Sequence, residues 1–528
     1  MFYALHGARF VQQSKDNLEC LRLKLRVPQT GHFFEVVMIY HSTRNNAEGV
    51  NAREALLKGL CDDGGLYVSD ALLTARFPMN ELVGLSYREI ATRVFSLLLD
   101  DFTPAELALG VERAYGETFD TPAVTPVTRV GNEWLLELYH GPTSAFKDVA
   151  LCMLPQLMSA ALKDTGRRVM IATATSGDTG KAALSGFKDV PGIGITVFYP
   201  HGKVSDIQYL QMATQAGDNV AVAAVEGNFD DVQSTVKTIF ASSLKAELAE
   251  EGVQLSSANS INIGRLVPQV VYYFDAYRQL VEAGAIKLGD PVDFSVPTGN
   301  FGDVLAGYYA RAMGLPVRHF IVASNANNVL TDFLTTGVYD RNRPFVKTIT
   351  PSMDILISSN LERMLYYASK GNTALIAKWM SDLKTTGVFK VEGEMLAEIQ
   401  GLFKCGWADD AATSAMVHEA WHKDHRLIDP HTAVALKVAR ERDDQTVPCV
   451  VLSTASPYKF CRDVYVAVKG EALPGDADGF AYMDALTALT GEVPPKPLAE
   501  LRTLPVRHKA VVTPEGMADV IRAAATKA

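Results

Sequence analysis

Glycine-rich loops between predicted strands and helices are the first segments of this sequence that could do chemistry. The segments MIATATSGDTGKAAL at 170–184 and VDFSVPTGNFGDVLAGYY at 292–309 each have the form strand, loop, helix. In such a loop, backbone N–H groups converge on an anion at the positive end of the helix. Either loop alone is equally well explained by the tight turns of an ordinary α/β domain, but two together favour a functional role.

Neither loop fits a nucleotide-binding motif. Thr175 stands where a P-loop has its first glycine, and Ala182 follows Lys181 where a metal-binding Ser or Thr is required. Neither segment contains a complete G-x-G-x-x-G. The sequence therefore disfavours both a nucleoside triphosphate and a dinucleotide as the ligand.

A lysine and a group of hydroxyl residues offer further chemistry. Lys147 lies in ELYHGPTSAFKDVAL at 137–151, just before an apolar helix. A lysine on an apolar background is usually a snorkelling surface residue, whereas a partly desolvated lysine has the depressed pKa that a Schiff-base amine needs. In LSTASPYKF at 452–460 the hydroxyl residues commonly cap the next element, but one of them could instead bond a cofactor ring nitrogen.

Alternating strands and helices must position these residues. From about residue 133 the sequence runs WLLELY, KDVALCMLPQLMSAAL, RRVMIATAT, KAALSGF and GITVFYP, and the pattern resumes near 292–325 and 431–456. Strand, loop and helix repeated in this way predict an α/β region with a mainly parallel sheet. We expect this sheet-forming region to span roughly residues 133 to 460.

The flanking segments suggest further domains. Residues 1–37 show no clear helical or strand period, and MIYHSTRN from Met38 reads like a fresh chain start, so we predict that residues 1–37 are an appendage. We predict a mixed, largely helical N-terminal domain at 38–132, two α/β subdomains at 133–470, and a mixed C-terminal segment at 471–528 that ends in a helix.

Composition indicates a globular enzyme-sized protein. Of its 528 residues 48% are hydrophobic, and 60 acidic against 50 basic residues give a net charge of −10, so a non-specific binder of nucleic acid or anionic membrane is disfavoured. No segment approaches the run of roughly 18 apolar residues that a membrane span requires. Six scattered cysteines without a C-x-x-C pair favour a reducing cytoplasm.

Seven motifs in order resemble the threonine synthase family. They are HGPTSAFKD, ATSGDTG, SANSINIGRLVPQ, PTGNFGD, PSMDI, DPHTAVA and LSTASPYKF, and the resemblance runs from Met38 to beyond Phe460. It is to the microbial and fungal branch, which carries a long amino-terminal domain. It implies an α/β pyridoxal-phosphate enzyme of fold type II (tryptophan synthase beta-like), with mainly parallel sheets flanked by helices and an N-terminal helical or mixed domain. The implied reaction converts O-phospho-L-homoserine and water to L-threonine and phosphate, the last step of threonine biosynthesis.

The resemblance also implies the cofactor-binding residues. Lys147 is similar to the catalytic lysine that forms the Schiff base with pyridoxal 5'-phosphate. Thr454 would meet the pyridine nitrogen with a neutral hydroxyl, which leaves the ring a more moderate electron sink. The cofactor phosphate would be held through backbone N–H groups at a helix start by Gly299, Asn300, Phe301, Gly302 and Asp303.

One loop is similar to the segment that cradles the substrate carboxylate beside the cofactor. Many relatives in the wider fold have Asn where this chain has Asp178. The residues expected to bind substrate in this loop are Thr175, Ser176, Gly177, Asp178 and Thr179.

The phosphate of the substrate requires a local cation in a protein with a net charge of −10. In SSANSINIGRLVPQ at 256–269, Arg265 can bind phosphate through both arms of its guanidinium, with a structural ion pair as the alternative role. Arg44 and Lys203 are further candidate cations. The polar residues that the same segment offers are Ser257, Asn259, Ser260, Asn262 and Gln269.

Three other functions are weighed against this interpretation. HEAWH at 418–422 is a literal H-E-x-x-H, as in zinc peptidases, but so short a pattern arises readily by chance in a helix, and we predict no metal site. A serine or threonine dehydratase or a cysteine synthase shares the lysine and glycine loops but lacks a SANSINIGRL-like segment with GNFGD. A binding scaffold has only fold-level generality in its favour. We therefore expect a cytoplasmic lyase that acts on a small-molecule substrate as a monomer or homodimer, without nucleic-acid or membrane partners.

Overall fold

Strands and helices alternate through most of the chain. The computed structural model describes residues 24–26, 33–35 and 37–526, except residues 176, 228 and 241. In this part of the chain no helix is both long and apolar enough to cross a membrane.

The strands are β1 (Lys24–Arg26), β2 (Phe33–Glu35), β3 (Tyr40–Ser42), β4 (Gly49–Val50), β5 (Tyr67–Val68), β6 (Val127–Val130), β7 (Glu133–Glu137), β8 (Arg168–Ala174), β9 (Ile193–Pro200), β10 (Val220–Val225), β11 (Val253–Ser256), β12 (Val292–Pro297), β13 (Val317–Ser324), β14 (Val338–Asp340), β15 (Val388–Lys390), β16 (Phe403–Trp407), β17 (Cys449–Ser453) and β18 (Ala510–Val512). The helices are α1 (Ala52–Lys58), α2 (Tyr87–Leu98), α3 (Pro104–Tyr115), α4 (Lys147–Leu162), α5 (Asp178–Phe187), α6 (Asp206–Ala213), α7 (Phe229–Phe240), α8 (Ser243–Glu250), α9 (Ile263–Glu282), α10 (Gly302–Ala312), α11 (Val329–Thr336), α12 (Leu361–Ala368), α13 (Thr373–Thr385), α14 (Gly393–Leu402), α15 (Asp410–Asp424), α16 (Pro430–Arg440), α17 (Cys461–Lys469), α18 (Gly479–Thr490), α19 (Lys496–Ala499) and α20 (Met517–Ala525).

A six-stranded sheet carries three of the segments singled out above. Its strand order is β16-β13-β12-β17-β7-β6, and its neighbours are parallel except for β6, which pairs antiparallel with β7. The carboxyl ends of parallel strands meet at one edge of a sheet, which is where such folds bind ligands. At that edge β7 leads towards Lys147, β12 leads into the loop at 298–301, and β17 leads into Thr454.

A five-stranded parallel sheet carries the other two segments. Its order is β11-β8-β9-β10-β18. Strand β8 leads into the loop that begins at Thr175, and β11 leads into the segment at 257–262. The two sheets therefore bring all five predicted ligand-binding segments to strand ends.

The prediction that sheet structure spans only residues 133 to 460 is wrong at both ends. Strand β6 begins at Val127, and β18 from the C-terminal segment pairs in parallel with β10 along Ala223–Val225. Strand β18 has only three residues, too few for a period to stand out, yet it covers an edge of β10 that would otherwise expose its N–H and C=O groups.

The N-terminal region is a small antiparallel sheet, β4-β3-β5, with helices α1 to α3. Capping boxes set the starts of two of these helices, with Ser86 and Glu89 at α2 and Thr103 and Glu106 at α3. One hydrophobic cluster continues from this region into the large sheets, and it includes the fully buried side chains Leu56, Val94, Val267 and Val296. The N-terminal region thus shares its core with the rest of the protein.

Most of the predicted appendage, residues 1–37, lies outside the described residues. Its described backbone is the antiparallel pair of β1 and β2, which the sequence pattern did not indicate. Met38 is buried and its backbone N–H donates to Asp100 Oδ2 at 2.8 Å, so Met38 is part of the core of the described chain.

We expect a chain that begins at Met38 to fold and to keep its kcat/KM within a few-fold of the full chain. The new amino terminus at Met38 would remain beside the Asp100 carboxylate, where a positive charge is favourable. Melting temperature and steady-state kinetics would check this. Loss of soluble protein would show instead that residues 1–37 pack on the core.

Candidate active site

Lys147 is fixed beside Thr454 by hydrogen bonds between their two segments. The Phe146 N–H donates to the Thr454 carbonyl at 2.8 Å, and the Ser456 N–H donates to the Ser144 carbonyl at 3.0 Å. Ser144 holds a left-handed backbone with φ 58° at this junction, a conformation that costs free energy for a non-glycine residue. These bonds place the start of α4, at Lys147, next to the residue that directly follows β17.

The Lys147 side chain is buried, so the alternative of a snorkelling surface lysine is wrong. Its side chain is 11% exposed, and its Nζ lies 3.7 Å from Asp178 Oδ2 and 3.4 Å from Ser352 Oγ. Burial lowers the pKa of Lys147, the charge of Asp178 opposes this, and the charges of Lys459 and Arg265 lower the pKa further. A larger fraction of this amine is therefore unprotonated at neutral pH than for a solvated lysine.

The loop after β12 presents backbone N–H groups at the start of α10. Phe301, at the N-cap position, has φ 60° and its side chain does not cap the helix. A Cβ at Gly299 would lie 2.9 Å from the Ser352 carbonyl oxygen, so glycine permits the close approach of these two loops. The first-turn N–H groups of α10 have no partner within the helix and can bind an anion.

The Asp303 carboxylate is turned towards helix α9. Its Oδ1 accepts hydrogen bonds from the hydroxyls of Tyr272 at 2.6 Å and Tyr273 at 2.9 Å. Burial raises the pKa of Asp303 to about 6, although the two tyrosines favour its ionised form. The backbone N–H of Asp303 is therefore available to bind an anion, as the resemblance implies, while its side chain joins the loop to α9 through hydrogen bonds.

The loop after β8 is shaped by a threonine and a glycine. Thr175 Oγ1 accepts from the N–H groups of Gly177 and Gly180, both at 2.9 Å. Gly177 has φ 144°, and a Cβ there would lie 2.5 Å from Gln208, so another residue would not fit. Ser176 lies outside the described residues, and Thr179 follows in the first turn of α5.

Asp178 is the most heavily contacted group in this loop. Its Oδ1 lies 3.0 Å from Lys459 Nζ and 3.2 Å from Gln208 Nε2, and its Oδ2 accepts from Ser352 Oγ at 3.4 Å. Burial alone would raise the pKa of Asp178, but Lys459 and Lys147 together hold this pKa well below its usual range. The carboxylate is thus an anion at neutral pH.

Arg265 is a buried cation without an acidic partner in the described part of the chain. Its residue is 3% exposed, and its Nη1 donates to the Ala258 carbonyl at 2.7 Å. Burial lowers the pKa of Arg265 to about 10. No carboxylate of the described residues lies within 4.0 Å of this guanidinium, although the charge of the buried Asp148 acts on it through space.

In the segment that precedes Arg265, some polar side chains hydrogen-bond to the backbone, and one has an atom without a partner in the described chain. The Asn262 side chain caps α9 through the Gly264 N–H at 2.9 Å and donates to the Leu56 carbonyl at 2.9 Å, so its amide holds the loop in place. Ser257 Oγ accepts from the Asn259 N–H at 3.1 Å. Asn259 Oδ1 is buried and makes no hydrogen bond within the described chain.

The other two candidate cations are either paired or exposed. Arg44 forms a two-armed pair with Glu362, with both N–O distances at 2.8 Å, and Lys203 is exposed beyond the end of β9. Of the three candidate cations, Arg265 alone is both buried and free of a carboxylate.

Three residues of the site were not assigned from the sequence, although each lies in a quoted motif. Ser352 of PSMDI contacts Lys147, and Lys459 of LSTASPYKF contacts Asp178. His431 of DPHTAVA accepts the Ser352 N–H at 3.2 Å through Nε2, while its Nδ1 faces Asp429 at 2.8 Å. The sequence signal for these residues was their place in the ordered motifs. Their burial and their contacts with distant segments cannot be read from local spacing.

Pyridoxal phosphate fits the residues that converge here. The site offers the largely buried amine of Lys147, the N–H groups at the start of α10, and the buried Thr454, whose backbone bonds the residue before Lys147. Buried polar atoms without a partner in the described chain include Ser144 Oγ, Asn259 Oδ1 and Arg265 Nε. Because buried polar groups are normally hydrogen-bonded, these atoms indicate a polar ligand.

The HEAWH segment lies on α15, away from these loops. His418 Nδ1 is 3.0 Å from the Ala467 carbonyl oxygen and His422 Nε2 is 3.1 Å from the Val468 carbonyl oxygen, in the last turn of α17. The two histidines thus hold a helix end. No group of three or more His, Cys, Asp or Glu among the described residues could hold a metal ion.

Comparison with known protein families agrees with this geometry. Residues 119–389 match the family described as pyridoxal-phosphate dependent enzymes. Residues 39–115 match the threonine synthase N terminus, and residues 432–521 match the C-terminal part of threonine synthase.

Individual relatives cover nearly the whole chain. Threonine synthase of Pseudomonas aeruginosa is 42% identical over 86% of this chain and 96% of its own length. The crystal structure of pyridoxal-phosphate-bound threonine synthase from Brucella melitensis has a TM-score of 0.81 at 37% identity, covering 92% of this chain and 99% of that one. Yeast threonine synthase has a TM-score of 0.79 at 32% identity, covering 92% and 97%.

These matches confirm the predicted fold type II, its mainly parallel sheets and its pyridoxal-phosphate cofactor. They also decide between the two enzymatic alternatives, since the long matches bear the name threonine synthase. This chain belongs to the threonine synthase family, whose members are pyridoxal-phosphate-dependent lyases.

Proposed function

We propose that the chain converts O-phospho-L-homoserine and water to L-threonine and phosphate at the site around Lys147. The observation that carries this proposal is the buried Arg265 guanidinium, which has no acidic partner in the described chain and whose charge acts on Lys147. Leaving a buried charge uncompensated costs several kcal/mol. A phosphate on the substrate would supply the missing anion.

A second anion site is what separates this reaction from a dehydratase. The cofactor brings one phosphate, which the loop from Gly299 to Asp303 would hold through N–H groups at the start of α10. A substrate without a phosphate, such as serine, has no second anion to pair with another buried cation. Arg265 lies in the first turn of a different helix, α9, so the two phosphates would have separate sites.

The polar groups around Arg265 would complete the substrate-phosphate site. Ser257 and Asn259 lie on the same segment, and Asn259 Oδ1 has no hydrogen-bond partner in the described chain. Asn262 would act at one remove, since its side chain holds the segment against Leu56.

The substrate carboxylate would lie against the loop from Thr175 to Thr179. The N-terminal turn of α5 supplies positive potential, and Ser176 belongs to the same predicted set. Asp178 is committed to Lys459 and Lys147, so we assign it to the arrangement of charges in the loop.

Bound pyridoxal phosphate supplies an electron sink for a carbanion at the substrate α-carbon. The Lys147 amine would take the α-proton, because burial and two neighbouring cations lower its pKa. Thr454 would meet the pyridine nitrogen with a neutral hydroxyl. Removal of a proton from the β-carbon would then let phosphate leave from the γ-carbon against Arg265. The γ-carbon would take up a proton, and one water would add at the β-carbon while the buried walls exclude other water.

The proposed cellular location and oligomeric state follow from the expectations based on sequence. We propose that the enzyme acts in the cytoplasm, which the scattered cysteines support, as a monomer or homodimer.

Borohydride reduction of the holoenzyme followed by peptide mapping should place the pyridoxyl group on Lys147. Lys147→Ala should abolish turnover, because no other amine takes its position at the start of α4. Lys378→Ala, at an exposed ion pair with Asp382, is the matched control and should keep normal activity. A label on Lys459 or any other lysine would overturn the assignment.

Arg265→Ala should lose about 2 to 4 kcal/mol of transition-state stabilisation with phosphohomoserine, or roughly 30-fold to 1000-fold in kcat/KM. Arg265→Lys should recover only part of this, since an ammonium lacks the planar fork. The variant should still bind a full complement of pyridoxal phosphate, because the loop from Gly299 to Asp303 and Thr454 are proposed to hold the cofactor without Arg265.

Arg44→Ala serves as the control for Arg265→Ala, because Arg44 is already paired with Glu362. Each variant should be assayed with phosphohomoserine and with serine side by side. Equal impairment with both substrates, or no phosphate release by the wild type, would refute the proposed substrate.

A further inference from the structure

Lys459 is a wholly buried lysine in the turn that follows Thr454. Its side chain is 0% exposed, and its Nζ lies 3.0 Å from Asp178 Oδ1 and 2.9 Å from the Thr143 carbonyl oxygen. Lysine is almost never fully buried unless it is paired. The burial of Lys459 therefore depends on its pairing with the Asp178 carboxylate.

The Asp178 carboxylate contacts Lys147 as well as Lys459. One of its oxygens contacts Lys459, while the other faces Lys147 Nζ at 3.7 Å. The carboxylate thus lies between two ammonium groups. An opposite charge at such a distance favours the charged form of an amine and raises its pKa by about 1 to 3 units.

That effect works against the chemistry of Lys147. An amine must be unprotonated to bond a carbonyl or to accept a proton. Burial lowers the pKa of Lys147, Asp178 raises it, and Lys459 and Arg265 lower it again. Asp178 with Lys459 present is close to a neutral pair, whereas Asp178 without Lys459 would be a net negative charge beside Lys147.

We propose that Lys459 is a positioning residue that takes up the charge of Asp178 and thereby keeps the Lys147 nitrogen unprotonated at neutral pH. This inference rests on the proposed role of Lys147 as the cofactor lysine. It makes the Asp178–Lys459 pair a unit: Asp178 is anchored in the loop after β8, and its charge is cancelled from the loop after β17.

Several other charged groups act on this unit. His431 and the two lysines act on Asp178, Asp148 and Lys181 act through space with Lys459, and Arg265 acts on Lys147. Of these groups, Lys459 lies nearest to Asp178, at 3.0 Å, and Lys147 follows at 3.7 Å. Lys459 is therefore the group whose removal should change the field at Lys147 in a defined direction.

Three variants separate this electrostatic role from a merely structural one. Lys459→Gln leaves Asp178 uncompensated, so the Lys147 nitrogen should titrate about one pH unit or more above the wild type. Asp178→Asn leaves Lys459 as an extra cation, so the nitrogen should titrate below the wild type. The double variant Lys459→Gln with Asp178→Asn restores a neutral pair and should return the titration towards the wild-type value.

The titration is read in two ways on the full chain. In the holoenzyme, the visible absorption of the cofactor is followed across a series of pH values. After the cofactor is removed, the rate at which acetic anhydride labels Lys147 is measured against pH by mass spectrometry. Lys378→Gln, which alters an exposed ion pair, is the control and should leave both curves unchanged.

The order of the titration points decides the outcome. An order of Lys459→Gln above the wild type and Asp178→Asn below it, with the double variant between, supports the proposal. If Lys459→Gln proves insoluble, Asp178→Asn and the double variant still give a comparison of defined sign. Equal titration points in all variants, or a double variant as displaced as Lys459→Gln, would overturn it.

Failure of the proposed function gives a different result. A pyridoxyl label away from Lys147 would refute its role as the cofactor lysine, while the acetic anhydride titration of Lys147 would still report the effect of Lys459. The two ideas can therefore fail separately.

Discussion

The site depends on a local excess of buried positive charge in a protein whose net charge is −10. Lys459 and Arg265 are buried, and Asp178 pairs with Lys459, so Arg265 is the buried cation that has no carboxylate within 4.0 Å among the described residues. Burying charges of one sign is unfavourable unless partners compensate them. Binding of the anionic groups of the cofactor and substrate should therefore stabilise this arrangement. Without them, the buried positive charge lowers the free energy of unfolding.

The N-terminal region contributes directly to holding this charge in place. Asn262 donates to the Leu56 carbonyl at the end of α1, so the loop that carries Arg265 rests on that helix. The buried Arg363 donates to the Tyr67 carbonyl at 2.9 Å and to the Ile261 carbonyl at 2.6 Å, which joins β5 to the same loop. Removing this region would leave both buried side chains with unsatisfied donors, so it acts as a wall of the site.

Local sequence patterns predicted the parts of the site that depend on local structure. The loop at Gly299, the helix that begins at Lys147 and the parallel strands all have signals within a few residues, and these were recovered. Lys459 follows a Ser-Pro pair in a short turn, where a lysine is commonly exposed, and its burial arises only when the segment packs against Asp178. The direction of the Asp303 side chain likewise depends on tyrosines of α9, some thirty residues away in sequence.

Helix α9 fixes the relation between the two proposed phosphate sites. Arg265 lies in its first turn, and the Arg265 carbonyl accepts from Gln269 Nε2 at 2.5 Å. The Tyr272 hydroxyl, one turn further on, lies 3.1 Å from Gln269 Oε1 and 2.6 Å from Asp303 Oδ1. One continuous set of hydrogen bonds thus runs from Arg265, proposed to bind the substrate phosphate, to the loop proposed for the cofactor phosphate. Since a helix is stiff over this length, α9 would set the spacing between the two proposed anion sites.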